Sequence, residues 1–255
     1  MNNNPIGVFD SGLGGLTVVK AIQEILPNES IIYLGDTARV PYGDKSPETI
    51  RKYSRQITDF LINNGAKIIV IACNTASALA MDDLKKYVDI PVIDVITPGV
   101  EAGLQTTKNK KIGILGTTAT ISSMAYDKKL KDADPELIVI SQACPLFVPL
   151  VEEGWVDGVV AEHIAEIYLQ QIKSTNIDTL ILGCTHYPLL KPLLKAQLEN
   201  NIKIIDSAVP VAENIFDLIR SAKIQSKNEK KGTLLCFTTD TLSKFRPLSK
   251  KFLGN

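Results

Sequence analysis

The sequence predicts an α/β fold of two pseudo-symmetric α/β lobes with mainly parallel sheets and the active site in the cleft between them. Three observations carry that prediction. Short Val- and Ile-rich runs alternate with segments of helical period, as in a parallel sheet crossed by helices. Two motif pairs recur in the same order. "IGVFDSG" (6–12) is echoed by "IGILGTT" (112–118), and "IIVIACNTAS" (68–77) by "TLILGCTHYP" (179–188); Ile6 and Ile112 are 106 residues apart, Cys73 and Cys184 are 111 apart. A chain of 255 residues, 45% hydrophobic and 22% charged, is long and apolar enough to bury two modest cores.

The strand-like runs fall at 6–9, 31–34, 68–72, 91–95, 111–115, 137–141, 179–182, 203–205 and 233–237. After the first, "TVVKAIQEIL" sets Val18, Val19, Ile22, Ile25 and Leu26 on one helical face, and Pro27 with Asn28 ends it. "SPETIRKYSRQITDFLINNG" predicts a longer helix. Ser46 is its N-cap, Pro47 suits the first helical position, Ile50, Tyr53, Ile57, Phe60 and Leu61 form the buried face, and Gly65 closes it. Pro98 and Gly99 interrupt the pattern in "ITPGVEAG" (96–103), so residues 1–97 are assigned to the first lobe and 98–207 to the second. Residues 208–255 open on the helix-like "AVPVAENIFDLI", pass through the charged "QSKNEKKG" and end in a strand and a helix. They are assigned to the first lobe, although the residues alone leave either lobe open.

Lys plus Arg and Asp plus Glu both number 28, for a formal net charge of zero. That balance offers no electrostatic footprint for nucleic acid or an anionic membrane. The opening "MNNNPIGVFD" has no basic stretch followed by an apolar one, and runs such as "KIIVIAC" fall far short of the roughly 20 apolar residues a membrane span needs. A cytoplasmic protein is expected. Its four cysteines are scattered with no C-x-x-C pair, as reduced thiols are, and Cys144 and Cys236 are expected to be buried structural residues.

Cys73 and Cys184 differ from those two. Each stands where a buried strand stops and a polar turn leading into a helix begins, and ligands of open parallel sheets bind beyond the carboxyl ends of strands. A helix N-terminus there offers free N–H groups and a positive partial charge that lower a thiol pKa from about 8.5. Paired thiols in equivalent places suit removal of a proton from one face of a carbon and return of a proton to the other. One must be thiolate and the other thiol, a population greatest when pKa equals the working pH, so modest activation is expected. Other uses of these residues remain open. Cys184 and His186 are two zinc ligands where a structural site wants four, so no metal is expected. A cysteine nucleophile served by His186 leaves Cys73 unexplained.

"DSGLGGLTV" (10–18), with Asp36 about 20 residues on, resembles a dinucleotide-binding loop. Thr17 stands where the third glycine of that fingerprint belongs, and Asp10 would oppose a pyrophosphate yet suit an ammonium. The glycines read as room for backbone to approach a small amino acid.

Six motifs, "GVFDSGLGGLTV" (7–18), "GDTARVPYG" (35–43), "ACNTASA" (72–78), "GTTATI" (116–121), "PLFVPLVEEG" (145–154) and "LGCTHYPLL" (182–190), resemble in order those of the cofactor-independent glutamate racemases of the aspartate/glutamate racemase superfamily. The resemblance implies interconversion of L- and D-glutamate with no cofactor, supplying D-glutamate for peptidoglycan. It implies that Cys73 and Cys184 are the acid/base thiols, with Asp10 assisting Cys73, and Glu152 and His186 assisting Cys184. Substrate contacts implied are Asp10, Ser11, Tyr42, Gly43, Asn74, Thr75, Thr117, Thr120, Thr185 and His186. Family analogy favours a homodimer. The residues alone also allow Asp10 to cap its turn, Glu152 to be solvated beside Glu153, His186 to serve local backbone and Tyr42 to be a turn aromatic. His163, mid-helix, reads as structural. The tail departs from the family pattern: "CFTTDTLSKF" (236–245) lacks the glycine of a T/S-G-D turn.

Overall fold

In a computed structural model that describes residues 2–227, 229–241 and 249–254, the Val- and Ile-rich runs form nine strands among the described residues, joined in parallel pairs. In the first sheet are β1 (Ile6–Asp10), β2 (Ile31–Gly35), β3 (Ile68–Ile71), β4 (Val92–Asp94) and the late strand β9 (Leu234–Thr238), in the order β4-β3-β1-β2-β9. The second holds β5 (Lys111–Gly116), β6 (Ile138–Ala143), β7 (Thr179–Gly183) and β8 (Lys203–Asp206), in the order β6-β5-β7-β8. Leaving β9 aside, both sheets follow one plan: the first strand sits between the second and third, and the fourth lies beyond the third. The motif echo is thus an echo of topology.

The strands β1, β3 and β7 are buried at every residue. Continuous apolar runs of this kind belong to parallel strands covered on both faces. The covering helices are α1 (Leu16–Ile25), α2 (Pro47–Asn63), α3 (Asn74–Tyr87), α4 (Ile96–Thr106), α5 (Thr118–Ser122), α6 (Ala125–Ala133), α7 (Phe147–Glu153), α8 (Gly158–Lys173), α9 (Lys191–Gln197) and α10 (Ala208–Ser221). Helix α2 is capped as its sequence predicts, with the Thr49 N–H donating to Ser46 Oγ at 3.3 Å and Pro47 in the first turn. Its Ile50, Ile57 and Leu61 are buried and its Tyr53 and Phe60 half-buried. In α1, Ile25 is only half-buried.

The chain divides into two compact units, one comprising residues up to Val95 together with those from Ala208 on, the other Ile96–Ser207. Pro98 and Gly99 do not interrupt the pattern where the sequence suggested a break. Both are buried in the first turn of α4, where a proline's missing N–H has no intrahelical partner to lose. The strand β9 extends the first sheet past β2, pairing Ile31 with Leu234 and Gly35 with Thr238. As an outermost strand it leaves Cys236 exposed, not buried as expected. At the amino end of the same sheet, buried Lys67 meets Glu29 at 2.6 Å and donates to the carbonyls of Asn2 and Ile224, while the Ser226 N–H donates to Glu29. This cluster fastens the chain after α10 to the start of β3. No helix among the described residues is long and apolar enough to cross a membrane.

Candidate active site

In both sheets the connection from the first strand runs to one side and the third strand lies on the other. Open α/β sheets bind ligands where the strand order reverses, outside the carboxyl ends of the strands. In the first unit that point lies between β1 and β3, whose ends carry Asp10, Ser11 and Cys73. In the second it lies between β5 and β7, whose ends carry Gly116, Thr117 and Cys184.

Cys73 is the N-cap of α3, and its Sγ accepts from the Ala76 N–H at 3.5 Å. Its thiol also lies 3.5 Å from Ser11 Oγ, to which it donates. Asn74 and Thr75, the first residues of α3, are buried beside it. A full-length helix therefore directs its positive end at the sulfur. Asp10 is wholly buried and accepts from the Gly12 N–H at 2.8 Å, so it does cap its turn. A side chain at Gly15 would collide with Asp10 Cβ at 2.7 Å and Ala72 Cβ at 2.9 Å. The room at this glycine is filled by the protein's own Asp10, which corrects its reading as space for a ligand.

The loop after β2 is built around Asp36. Its N–H donates to the Asp10 carbonyl at 3.0 Å, and its buried carboxylate accepts from the Tyr42 hydroxyl at 2.5 Å and the Thr239 hydroxyl at 2.8 Å, and meets Arg39 Nε at 3.0 Å. Both carboxylate oxygens are thus engaged within the protein, which gives the dinucleotide reading no support. Tyr42 is buried, and both burial and the bond to Asp36 push its phenol far above the usual tyrosine range. Gly43 lies beside it in the same 3-10 turn, Tyr42–Asp44. Tyr33 of β2, also buried and also held protonated by burial, donates to the Gly12 carbonyl at 2.7 Å and fixes the glycine loop from behind.

In the second unit Thr117 caps α5, accepting from the Thr120 N–H at 3.2 Å, and the two hydroxyls lie 2.9 Å apart. Cys184 Sγ is 3.9 Å from His186 Nδ1, and Nε2 of the same ring is 3.3 Å from Glu152 Oε1. Glu152 is half-buried whereas Glu153 is exposed, so the two are not one solvated pair. Thr185 and His186 are buried in the turn. Contrary to expectation, no α-helix starts at Cys184. Pro188 has no N–H to donate to the Cys184 carbonyl, the bond that would close the first α-turn, so the Tyr187 N–H donates there at 3.2 Å and a short 3-10 turn, Tyr187–Leu190, follows. The buried Tyr187 hydroxyl donates to the Cys144 carbonyl at 2.8 Å, tying this turn to the one that leads into α7 and Glu152. Burial pushes the Cys144 thiol far up, with Cys184 adding to the effect.

The predicted residues thus form two sets, one per unit. Asp10, Ser11, Tyr42, Gly43, Cys73, Asn74 and Thr75 lie around the first sheet's reversal; Thr117, Thr120, Glu152, Cys184, Thr185 and His186 around the second's. His163 is exposed on α8, 3.9 Å from Glu166, and does not support a core. Among the described residues no three His, Cys, Asp or Glu side chains are grouped as a metal site requires. Sequence reasoning missed the supporting groups Asp36, Tyr33, Tyr187 and Thr239. Asp36 carries a signal in its place at the end of a buried strand, and Thr239 in standing where the T/S-G-D turn has its glycine.

Residues 6–214 match the model of the Asp/Glu/Hydantoin racemase family. The chain is 49% identical over 249 residues to the glutamate racemase of Aquifex aeolicus, covering 98% of this chain and 94% of that one. Among solved structures it is similar to a glutamate racemase isoform from Bacillus anthracis, with a TM-score of 0.96 and 39% identity over 100% of this chain and 96% of that one. It is likewise similar to the glutamate racemase of Francisella tularensis solved in complex with D-glutamate, with a TM-score of 0.94 and 43% identity over 100% and 95% of the two chains.

Proposed function

From the premise that the chain belongs to the Asp/Glu/Hydantoin racemase family, we propose that it interconverts L- and D-glutamate by exchanging a proton between the α-carbon and two thiols, Cys73 and Cys184. The observation that carries this reading is their equivalence: each follows the third strand of its sheet, beside the first strand, where the strand order reverses.

The thiolate of one cysteine takes the α-proton and becomes a thiol. The other thiol donates its proton to the opposite face of the resulting carbanion and becomes a thiolate. One C–H bond is broken and one formed, and the two sulfurs have exchanged protonation states, ready for the reverse direction. Helix ends and hydroxyls at Asn74, Thr75, Thr117, Thr120 and Thr185 hold the two carboxylates, and Asp10 faces the ammonium. Each such bond to a charged group contributes about 1.5–3 kcal/mol, and several fix the α-carbon relative to the thiols. The Tyr42 phenol, still protonated, donates its one hydrogen bond to Asp36, and a substrate carboxylate only accepts, so Tyr42 and Gly43 contribute backbone N–H groups. His186, backed by Glu152, exchanges protons with Cys184. In the proposed cellular role a cytoplasmic homodimer supplies D-glutamate for peptidoglycan, a reading supported by the similarity to glutamate racemases.

Incubation of L-glutamate with the protein in deuterated buffer, with no added cofactor, is expected to give D-glutamate labelled at the α-carbon. Unchanged optical rotation without label overturns the proposal.

A further inference from the structure

We propose that Thr239 is a positioning residue for substrate binding, acting from the C-terminal strand through Asp36 on the loop that carries Tyr42 and Gly43. The inference rests on the reading of Tyr42 and Gly43 as substrate contacts given above.

Thr239 follows β9 and has no counterpart in the second sheet, which ends with its fourth strand. Its hydroxyl makes two bonds to the loop after β2: it donates to Asp36 Oδ1 at 2.8 Å and accepts from the Ala38 N–H at 3.0 Å. Its own N–H donates to the Gly35 carbonyl at 3.3 Å, and the neighbouring Thr238 hydroxyl meets that of Thr37. The other carboxylate oxygen of Asp36 accepts from Tyr42, and the Asp36 N–H donates to the Asp10 carbonyl. The Thr239 hydroxyl therefore shares Oδ1 with Arg39 in steadying a buried carboxylate whose other oxygen orients Tyr42, in a residue whose backbone N–H holds that of Asp10. A glycine at this position, as in the T/S-G-D turn that the sequence lacks, supplies no such hydroxyl. This chain builds the clamp from the residue in which it departs from that pattern.

Losing the clamp loosens the binding loop without touching the thiols, so it acts on KM more than on kcat. Thr239→Val keeps the side chain's shape and removes both bonds. It is expected to raise the KM for glutamate about threefold to tenfold with kcat held within about twofold. Thr239→Gly is expected to do the same, and Thr239→Ser, which restores the hydroxyl, to return KM to the wild-type value. Amide hydrogen exchange at Ala38 supplies a readout independent of turnover and is expected to quicken in the Val and Gly variants only. Unchanged Ala38 exchange in Thr239→Val overturns the clamp. Faster exchange with unchanged KM, or equal losses in kcat and kcat/KM, overturns the positioning role. A wild-type protein that racemises no glutamate overturns the functional reading and this role with it, and is told apart from failure of the clamp by the Ala38 exchange.

Discussion

Cys73 and Cys184 end equivalent strands, yet their surroundings differ. Cys73 caps a 14-residue helix and faces a backbone N–H and a serine hydroxyl, whereas Cys184 opens onto a 3-10 turn and faces an imidazole backed by a carboxylate. The cause is local. Asn-Thr-Ala after Cys73 lets the helix start at once, while Pro188 withholds the donor that an α-turn from Cys184 needs. The two units thus share the position of the thiol and differ in its surroundings: a helix N-terminus and a serine hydroxyl in one, an imidazole and a carboxylate in the other. Fixed dipoles stabilise a thiolate without exchanging protons, whereas imidazole can do both.

The largest test asks whether the thiols are equivalent at all. Cys73→Ser and Cys184→Ser are each expected to lower racemisation by about a hundredfold to ten-thousandfold, since each removes one of two obligatory proton carriers. Far-ultraviolet circular dichroism should show the fold retained. Wild-type turnover in either variant would end the two-thiol mechanism.

Less drastic changes probe the difference between the thiols. His186→Asn is expected to cost about tenfold to a hundredfold in turnover, the worth of one charge-assisted contact. Ser11→Ala, which removes a neutral partner of Cys73, is expected to cost about twofold to tenfold. Because the two enantiomers have equal free energies in solution, kcat/KM must stay equal in the two directions, and an asymmetry is visible elsewhere. Primary isotope effects with α-deuterated L- and D-glutamate report which thiol has become slow. The two variants should tilt the ratio of those effects in opposite senses. A tilt in the same sense would show that His186 and Ser11 do not serve different thiols.

Much of this arrangement is legible in the sequence, and the parts that are not share a physical reason. The nine strands of the described residues are readable as Val- and Ile-rich runs, most plainly β1, β3 and β7, which are buried throughout, and the echo places both thiols alike. Even so, one echo went unread: "PVID" and "KIID" end β4 and β8 on Asp94 and Asp206, which pair with Ile71 and Leu182 in equivalent registers. The α-helix expected after Cys184 by analogy with Cys73 does not form there because Pro188 lacks the N–H that would close its first turn. Groups such as Tyr33, Tyr187 and Thr239 act through single hydroxyls on backbone or carboxylate atoms far away in sequence. No periodicity marks such a bond, and a buried tyrosine looks like any other core residue until its partner is known. The glycine loop misled for a related reason, since the atom that Gly15 makes room for belongs to Asp10.

The smallest expected effect concerns a third thiol, and it sharpens the contrast between a sulfur at a strand's carboxyl end and one sealed in the core. Cys144 lies in the same unit as Cys184 and is fully buried, and burial holds its thiol protonated far beyond the neutral range. Alkylation needs thiolate, and partial burial pushes the accessible Cys236 thiol up to about 11, less far than Cys144; iodoacetamide at pH 8 should therefore modify Cys236 slowly and leave Cys144 untouched, and equal rates would mean that Cys144 is not sealed. The same shift makes a prediction for stability. The folded state holds this proton more tightly than the unfolded chain, whose cysteine titrates near about 8.5. The stabilisation is therefore complete below about pH 8.5 and is lost as pH rises toward the folded value, at up to about 1.4 kcal/mol per pH unit. Cys144→Ala should flatten that alkaline decline, measured as urea-unfolding free energy between about pH 8.5 and 10, while turnover at neutral pH stays within about twofold of wild type. An unchanged alkaline slope would mean that the thiol already shares its proton with solvent, and the distinction between Cys144 and Cys184 would then rest on geometry alone.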